Sequence, residues 1–261
     1  MHPMITRVEQ RRWHAADDAH LLGRAETSRR PDGRTYVTID AWDDAVFDRL
    51  AEAMLADLPR PLYTVVGQAD LDLTSCWRRA GFTTGRGERE YVVPTDPRVT
   101  ALGSVLSPDG VTIAPAGTAR ERPLREVYDA VRADIDPTVG WAPIPADAPA
   151  RNDGAAPLDP SEYVVAAQGD QQADQQGDHY VGLVRVATRT RRPRIGPVAV
   201  RPGLRRHGIA RALLAQALGP LHRAGADAAW ALVDESNDAA TALFESVGAR
   251  PAGGNLELVL H

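Results

Sequence analysis

The sequence predicts an α/β chain in which short apolar strands alternate with amphipathic helices, and it predicts that this arrangement is built twice. Three observations carry the prediction. Between Arg194 and Arg211, in R-I-G-P-V-A-V-R-P-G-L-R-R-H-G-I-A-R, the apolar run Val198-Ala199-Val200 leads through the turn Arg201-Pro202-Gly203 into a segment rich in Arg and Gly. Ile209, Leu213, Leu214, Ala217, Leu218 and Leu221 then recur at helical spacing, so a strand feeds through a basic loop into a helix. The chain also repeats itself: Trp77-Arg78-Arg79-Ala80-Gly81-Phe82 falls beside Phe244-Glu245-Ser246-Val247-Gly248-Ala249 at an offset of 167, from 248 minus 81. In that register Tyr63-Thr64-Val65-Val66 falls on Trp230-Ala231-Leu232-Val233, Asp70 on Asn237, Gly87 on Gly254, Glu90 on Glu257 and Tyr91-Val92-Val93 on Leu258-Val259-Leu260.

Composition narrows the field. The chain has 261 residues, a length for one large domain or two of ordinary size, and its 43% hydrophobic content supports a packed core. No apolar run approaches a membrane span, and Met1-His2-Pro3-Met4 opens no signal-peptide pattern. A single cysteine, Cys76, excludes an internal disulfide, so a cytoplasmic setting is expected. All 30 basic residues are arginine, and a net charge of −5 argues against a general nucleic-acid binder. The seven histidines have no metal-ligand spacing, so no metal is expected.

In chain order, a short prelude from Met4 to Asp18 leads into a strand over 20–26, with no opening strand or helices expected before it. Tyr36 to Ile39 forms the next strand. Ala45 to Leu58 forms a helix, with Val46, Leu50, Ala53 and Met54 on one face. Between them stands Asp40-Ala41-Trp42-Asp43-Asp44, where the second half carries its Arg/Gly loop. Asp caps a helix well, but carboxylates repel a phosphate and Trp42 blocks close approach. The first half, residues 1–95, is therefore read as an eroded copy that binds no such ligand. Residues 94 to 109 form a linker. In the second half, residues 110–261, a strand over 111–114 precedes a helix over 119–135, which ends before Pro137. Residues 136 to 160 are irregular around Trp141. Strands follow over 162–168 and 179–186, joined by a low-complexity tip, Q-G-D-Q-Q-A-D-Q-Q-G-D. A turn bearing Arg189, Arg191, Arg192 and Arg194 leads into Val198 to Val200. The chain closes with strand 230–233, a helix, a Gly-bearing turn and a last strand over 256–260.

The first turn of the helix that begins at Ile209 offers free N–H groups and the positive end of the helix dipole, a site for phosphate oxygens. Gly208 and Ala210 keep side chains out of the way, and Arg205, Arg206 and Arg211 add charge. Arg205-x-x-Gly208-x-Ala210 after V-A-V resembles the signature of the GNAT superfamily, the acetyl-CoA-dependent N-acyltransferases. Asn237-x-x-Ala240-x-x-Leu243-Phe244-x-x-x-Gly248 is similar to that family's second signature. The resemblance implies a mixed, mostly antiparallel central sheet flanked by helices, here in two tandem copies. It also implies acetyl-CoA as co-substrate, with the pyrophosphate on Arg205, Arg206, His207, Gly208, Ile209, Ala210 and Arg211 and the pantetheine arm along Val198, Ala199 and Val200. Asn237 and Phe244 are expected to line the cofactor, the Phe244 ring turned toward its sulfur. The acceptor is expected to be a primary amine of a small molecule or peptide, and the protein a monomer or homodimer.

Direct transfer from a thioester to an amine needs close positioning, a donor for the carbonyl oxygen, and proton transfers, from the amine to a base and from an acid to the leaving thiolate. A backbone N–H of Val198 to Val200 suits the second. For the third, the family often places a Tyr acid where this chain has Phe244, which donates nothing. The carboxylates Asp134, Asp136, Glu162, Asp234 and Glu235 and the hydroxyls of Tyr128 and Tyr163 are the alternatives. Asp234 and Glu235 follow the strand at the family's acceptor side, where Trp141 and Glu162 are candidates to touch the acceptor. The alternative to an enzyme is an acyl-CoA-binding or regulatory protein that has lost turnover.

Overall fold

The structure, a computed structural model, describes residues 3–30, 33–134, 158–169, 179–188 and 192–261. In chain order come strands β1 (Met4–Glu9), β2 (Arg12–Ala16), β3 (Leu21–Arg29) and β4 (Thr35–Ala41), helix α1 (Asp44–Ala56), strand β5 (Leu62–Gly67), helix α2 (Leu71–Arg79) and strand β6 (Thr83–Pro94). One helical turn, α3 (Pro97–Thr100), and strand β7 (Val111–Ala114) precede helix α4 (Glu121–Ala133). Strands β8 (Tyr163–Gln168), β9 (His179–Ala187) and β10 (Arg194–Val200), helix α5 (Ile209–Arg223), strand β11 (Ala228–Asp234), helix α6 (Asp238–Glu245) and strand β12 (Arg250–Leu260) complete the chain. Trp141 and Asp136 lie outside the described residues. Those that are described form two compact units, one of 3–87 with Gly253–His261, the other drawn from 88–252.

In the first unit the strand order is β1-β2-β3-β4-β5-β12, followed by the opening residues of β6. All adjacent pairs whose register is defined are antiparallel except β4 and β5, which run parallel through Thr35↔Leu62 and Tyr36↔Tyr63. One expectation is corrected here. The prelude, expected to hold no opening strand, forms a hairpin, β1 and β2, so that strand is present, while the opening helices are missing among the described residues. Along β1 Ile5 alone is half-buried, so an edge strand left no alternation to read. Helix α1 forms because Asp43 accepts the Val46 N–H at 2.8 Å and because Val46, Phe47, Leu50 and Met54 share one buried face. Each of these large side chains contributes about 1.5–3 kcal/mol on burial. Trp77 of α2 packs edge-on between Phe47 and Phe82, with ring centroids 5.0 and 4.8 Å away. Glu257 of β12, only 4% exposed, accepts from Tyr36 and pairs with Arg34 at 3.3 Å and Arg86 at 3.6 Å. A buried carboxylate is tolerated when matched in this way. Burial first, then the bond to Glu257, pushes the Tyr36 hydroxyl well above its ordinary pKa.

In the second unit Glu88–Pro94 of β6 lies at one edge, in the order β6-β11-β10-β9-β8-β7. Only β10 and β11 run parallel. The continuous apolar run of β8 is explained by cover on both faces: Val164 and Ala166 join the cluster of α5, while Tyr163 and Val165 join that of α4. Helix α5 ends in a Schellman motif, with Gly225 N–H on His222 O at 2.9 Å and Ala226 N–H on Leu221 O at 3.0 Å. The result is a mixed, mostly antiparallel sheet flanked by helices.

The offset of 167 recurs bond for bond. Asp70 caps α2 through the Leu73 N–H at 3.0 Å, and Asn237 caps α6 through the Ala240 N–H at 3.0 Å. Gly81 (φ 93°) and Gly248 (φ 78°) close the two helices, with Phe82 N–H on Trp77 O and Ala249 N–H on Phe244 O, both at 3.1 Å. Strand registers match as well: Leu256↔Val66 and Leu260↔Leu62 in the first unit correspond to Arg89↔Val233 and Val93↔Ala229 in the second.

Candidate active site

Strands β10 and β11 are held together at one end only, through Arg194↔Trp230 and the Trp230 N–H on Pro193 O at 2.8 Å. Beyond that point each continues, but no further pairing joins them, so the sheet opens into a gap. On its other edge β10 stays paired with β9 through Val198↔Val184, Ala199↔Leu183 and Val200↔Gly182, after an irregularity between Ile195 and Val198. The Arg201 N–H donates to Val181 O on β9, so the two-residue alternation directs the N–H groups of Val200 and Val198 to the edge that faces the gap. The Arg205 Nε donates to Val200 O at 3.1 Å from that same side.

The loop after β10 brings Arg205, Arg206, His207 and Gly208 to the start of α5. Gly208 is the N-cap, at φ 84°, and no side chain accepts from the first-turn N–H groups of Ile209, Ala210 and Arg211. A Cβ at 208 would meet nothing nearer than Pro108 Cγ at 3.9 Å, so backbone conformation and not lack of room requires glycine. Arg206 shares the left-handed region at φ 69°. Arg205, Arg206 and His207 are exposed, whereas Arg211 is tied to α6 through Ser246 Oγ at 2.9 Å. An uncapped helix start flanked by guanidiniums is suited to hold phosphate oxygens.

At the end of β11 the predicted residues come together, each with a structural partner. Asp234, 9% exposed, accepts at Oδ1 from the Ser236 N–H (3.0 Å) and Oγ (2.7 Å), forming the turn into α6. Glu235 pairs with Arg89 of β6 at 3.4 Å. Asn237 is the α6 cap. Phe244 is 3% exposed and stacks on Tyr91, with centroids 6.3 Å apart, so its ring belongs to the core. Tyr91 and Glu88 of β6 were not singled out in the sequence. Tyr91 is fully buried with its hydroxyl on Glu245 at 3.3 Å, and Glu88, 3% exposed, stands opposite Asp234 in the β6–β11 register. Nothing in the sequence says which strand pairs with β11, so neither could be assigned to this site.

The remaining residues lie elsewhere. Glu162 accepts from Arg185 at Oε2 alone, at 2.8 Å from Nε and 2.7 Å from Nη2. Tyr163 packs edge-on to Tyr128, 6.4 Å between centroids, and burial pushes its pKa up to about 12. Cys76 is buried in the first unit, where burial raises its pKa. Among the described residues no group of three or more His, Cys, Asp or Glu could hold a metal ion, and no helix is long and apolar enough to cross a membrane.

Residues 130–249, which contain the gap, the loop and α6, match the acetyltransferase (GNAT) family. This segment is a GNAT acetyltransferase domain. None of the curated proteins matches the chain in sequence. Its fold is similar to that of a GCN5-related N-acetyltransferase from Sphaerobacter thermophilus, with a TM-score of 0.67 at 17% identity over 98% of this chain and 82% of that one. A tandem GNAT protein from the clavulanic acid biosynthesis pathway has a TM-score of 0.63 at 13% identity, over 95% and 82%. A GCN5-related N-acetyltransferase from Kribbella flavida has 0.56 at 15%, over 99% and 89%. At these identities the likeness is one of fold. The GNAT family uses acetyl-CoA and acts on small-molecule or peptide acceptors, and the family match over residues 130–249 supports an acyltransferase.

Proposed function

We propose that the second unit is an N-acetyltransferase that passes the acetyl group of acetyl-CoA directly to a primary amine of a small molecule or peptide. The observation that carries this reading is the start of α5, opened by a left-handed glycine, with no side chain on its first amides, directly after the strand that parts from β11. The N–H groups of the first turn, with Arg205 and Arg206 beside them, are read as the cradle for the pyrophosphate. Acetyl-CoA, when bound, supplies an acetyl group activated as a thioester. The Val198 or Val200 N–H, directed into the gap, is the donor for the carbonyl oxygen as it gains charge. The acceptor nitrogen forms the C–N bond, the C–S bond breaks with its electron pair on sulfur, and the nitrogen's proton passes to a base. Of the carboxylates, Asp234 is proposed for that role, because it ends β11 beside the gap. Glu235 is the less suited, being held by Arg89.

The same reading takes the chain as two tandem copies of one fold, an eroded copy over residues 1–95 and an intact one over 110–261. The matched caps and strand registers at an offset of 167 support it.

Calorimetry on Gly208→Ala and Gly208→Glu tests the cofactor site. Both variants carry the same backbone strain of about 1–2 kcal/mol at positive φ. Only Glu adds an anion, and it should weaken acetyl-CoA by more than about tenfold beyond Ala, with circular dichroism near wild type. Equal affinities would show that the phosphates sit elsewhere. Asp234→Asn keeps an acceptor for Ser236 and should lower kcat while leaving acetyl-CoA affinity in place; an unchanged pH–rate profile would move the base elsewhere. A second reading, an acyl-CoA-binding or regulatory protein, is favoured by the buried Phe244 at the family's acid position. Saturable acetyl-CoA consumption with a panel of amines would exclude it.

A further inference from the structure

The first unit carries a basic cavity that acetyl transfer leaves unused. It is an open depression of about 330 Å3 beyond the C-terminal end of α1, floored by Leu58 and Pro59 and bordered by Gln10, the exposed Arg7, Arg11 and Arg29, and Thr27 and Thr35. Its walls are fixed by backbone. Arg29 pairs with Thr35 across β3 and β4, and the Thr27 N–H donates to Arg11 O at 2.9 Å, which holds the β1–β2 turn against β3.

The three guanidiniums are not equivalent. Arg7 is committed: it pairs with Asp57 at 3.2 Å, donates to Gln10 O at 2.6 Å and lies 5.0 Å over the Trp13 ring. The side chains of Arg11 and Arg29 make no hydrogen bond or ion pair among the described residues. A role in capping α1 does not account for them, since the Asp57 N–H already closes onto Met54 O and Arg7 holds the Asp57 carboxylate. Three guanidiniums against one carboxylate leave a positive cavity in a chain whose net charge is −5.

We propose that this cavity binds a phosphate group, as inorganic phosphate or as a small phosphomonoester. Arginine forks and two threonine hydroxyls offer more donors than the two oxygens of a carboxylate can accept. A phosphate presents three terminal oxygens and a charge of about −2, which suits them. The volume admits the group with a few further atoms.

The test is calorimetric titration of the full chain at constant ionic strength, with inorganic phosphate, glycerol phosphate and acetate in separate runs. One equivalent of phosphate should bind here, beyond any held at the start of α5. Arg11→Ala and Arg29→Ala should each weaken it by about tenfold, the loss of one charge-assisted bond. Arg29→Lys, which keeps charge but loses the fork, should fall between. Arg24→Ala, at an exposed pair with Asp40, should change nothing. Tighter binding of glycerol phosphate than of phosphate would identify a phosphomonoester as the ligand, and the reverse the free ion. The proposal is overturned if acetate binds as tightly, or if phosphate binds equally to Arg11→Ala, Arg29→Ala and wild type. It is also overturned if Gly208→Glu abolishes the binding, which would place the anion at α5. Loss of acetyl-CoA binding in Gly208→Glu with phosphate retained would uphold both sites separately.

Discussion

Phe244 shows how far one position can be read before its neighbours are known. In the sequence it fills the place of a family Tyr, and adding a hydroxyl to a ring of the same outline looks harmless. In the fold the ring is 3% exposed and stacked on Tyr91, whose own hydroxyl already uses Glu245. A second phenol there must find a partner or leave a polar group buried, at about 1–3 kcal/mol. Phe244→Tyr should therefore lower the melting temperature by several degrees in a thermal scan, where Tyr at an open acid position would not. Turnover should hardly move, because a thiolate leaves readily near neutral pH. A rise of about a hundredfold would show that leaving-group protonation limits the natural protein, and would favour the acyl-CoA-binding reading.

At the scale of elements, the starts of α1 and α5 are the same device with opposite settings. Both follow a strand that is parallel to its neighbour at one end only. At α1 the Asp43 carboxylate occupies the Val46 N–H, Asp44 adds a second charge in the first turn, and Trp42 stands 82% exposed beside them. At α5 a glycine cap leaves the amides without a side-chain acceptor. One helix has its anion built in, and the other, on the proposed reading, accepts one from outside. Titration should give one coenzyme A per chain. Two sites of similar affinity would show that the α1 carboxylates do not exclude the ligand. These settings were legible in the sequence, because Asp-x-x-Val and Gly-Ile-Ala specify their caps locally.

For the whole molecule, each unit is completed by a strand from the other half of the sequence. Glu88–Pro94 belongs to the second unit and Gly253–His261 to the first. Tyr91 and Val93, both fully buried, are core residues of the second unit supplied by the first half, each contributing about 1.5–3 kcal/mol. A fragment of residues 110–261 keeps every residue of the Arg/Gly loop, yet it lacks this strand and leaves β11 with an open edge. It should show no cooperative unfolding by circular dichroism. A stable, coenzyme-binding fragment would mean that another strand can take the place of β6.

The sequence by itself determined the period of 167, the strands and helices with strong apolar faces, the caps that repeat at Asp70 and Asn237, and the Arg/Gly loop before α5. Each follows from residues a few positions apart, where side-chain periodicity and capping chemistry act directly. It missed the β1–β2 hairpin, an edge with almost no buried side chains to set a pattern. Only the tertiary structure decided that β6 lies beside β11 and β12 beside β5, and hence that Tyr91 meets Phe244 and Glu88 meets Asp234. Strands β6 and β12 occupy the same place in the repeat and offer the same backbone donors and acceptors, so either could satisfy either neighbour in an equivalent register. Backbone hydrogen bonds carry no sequence label, and the choice rests on contacts among residues more than a hundred positions apart.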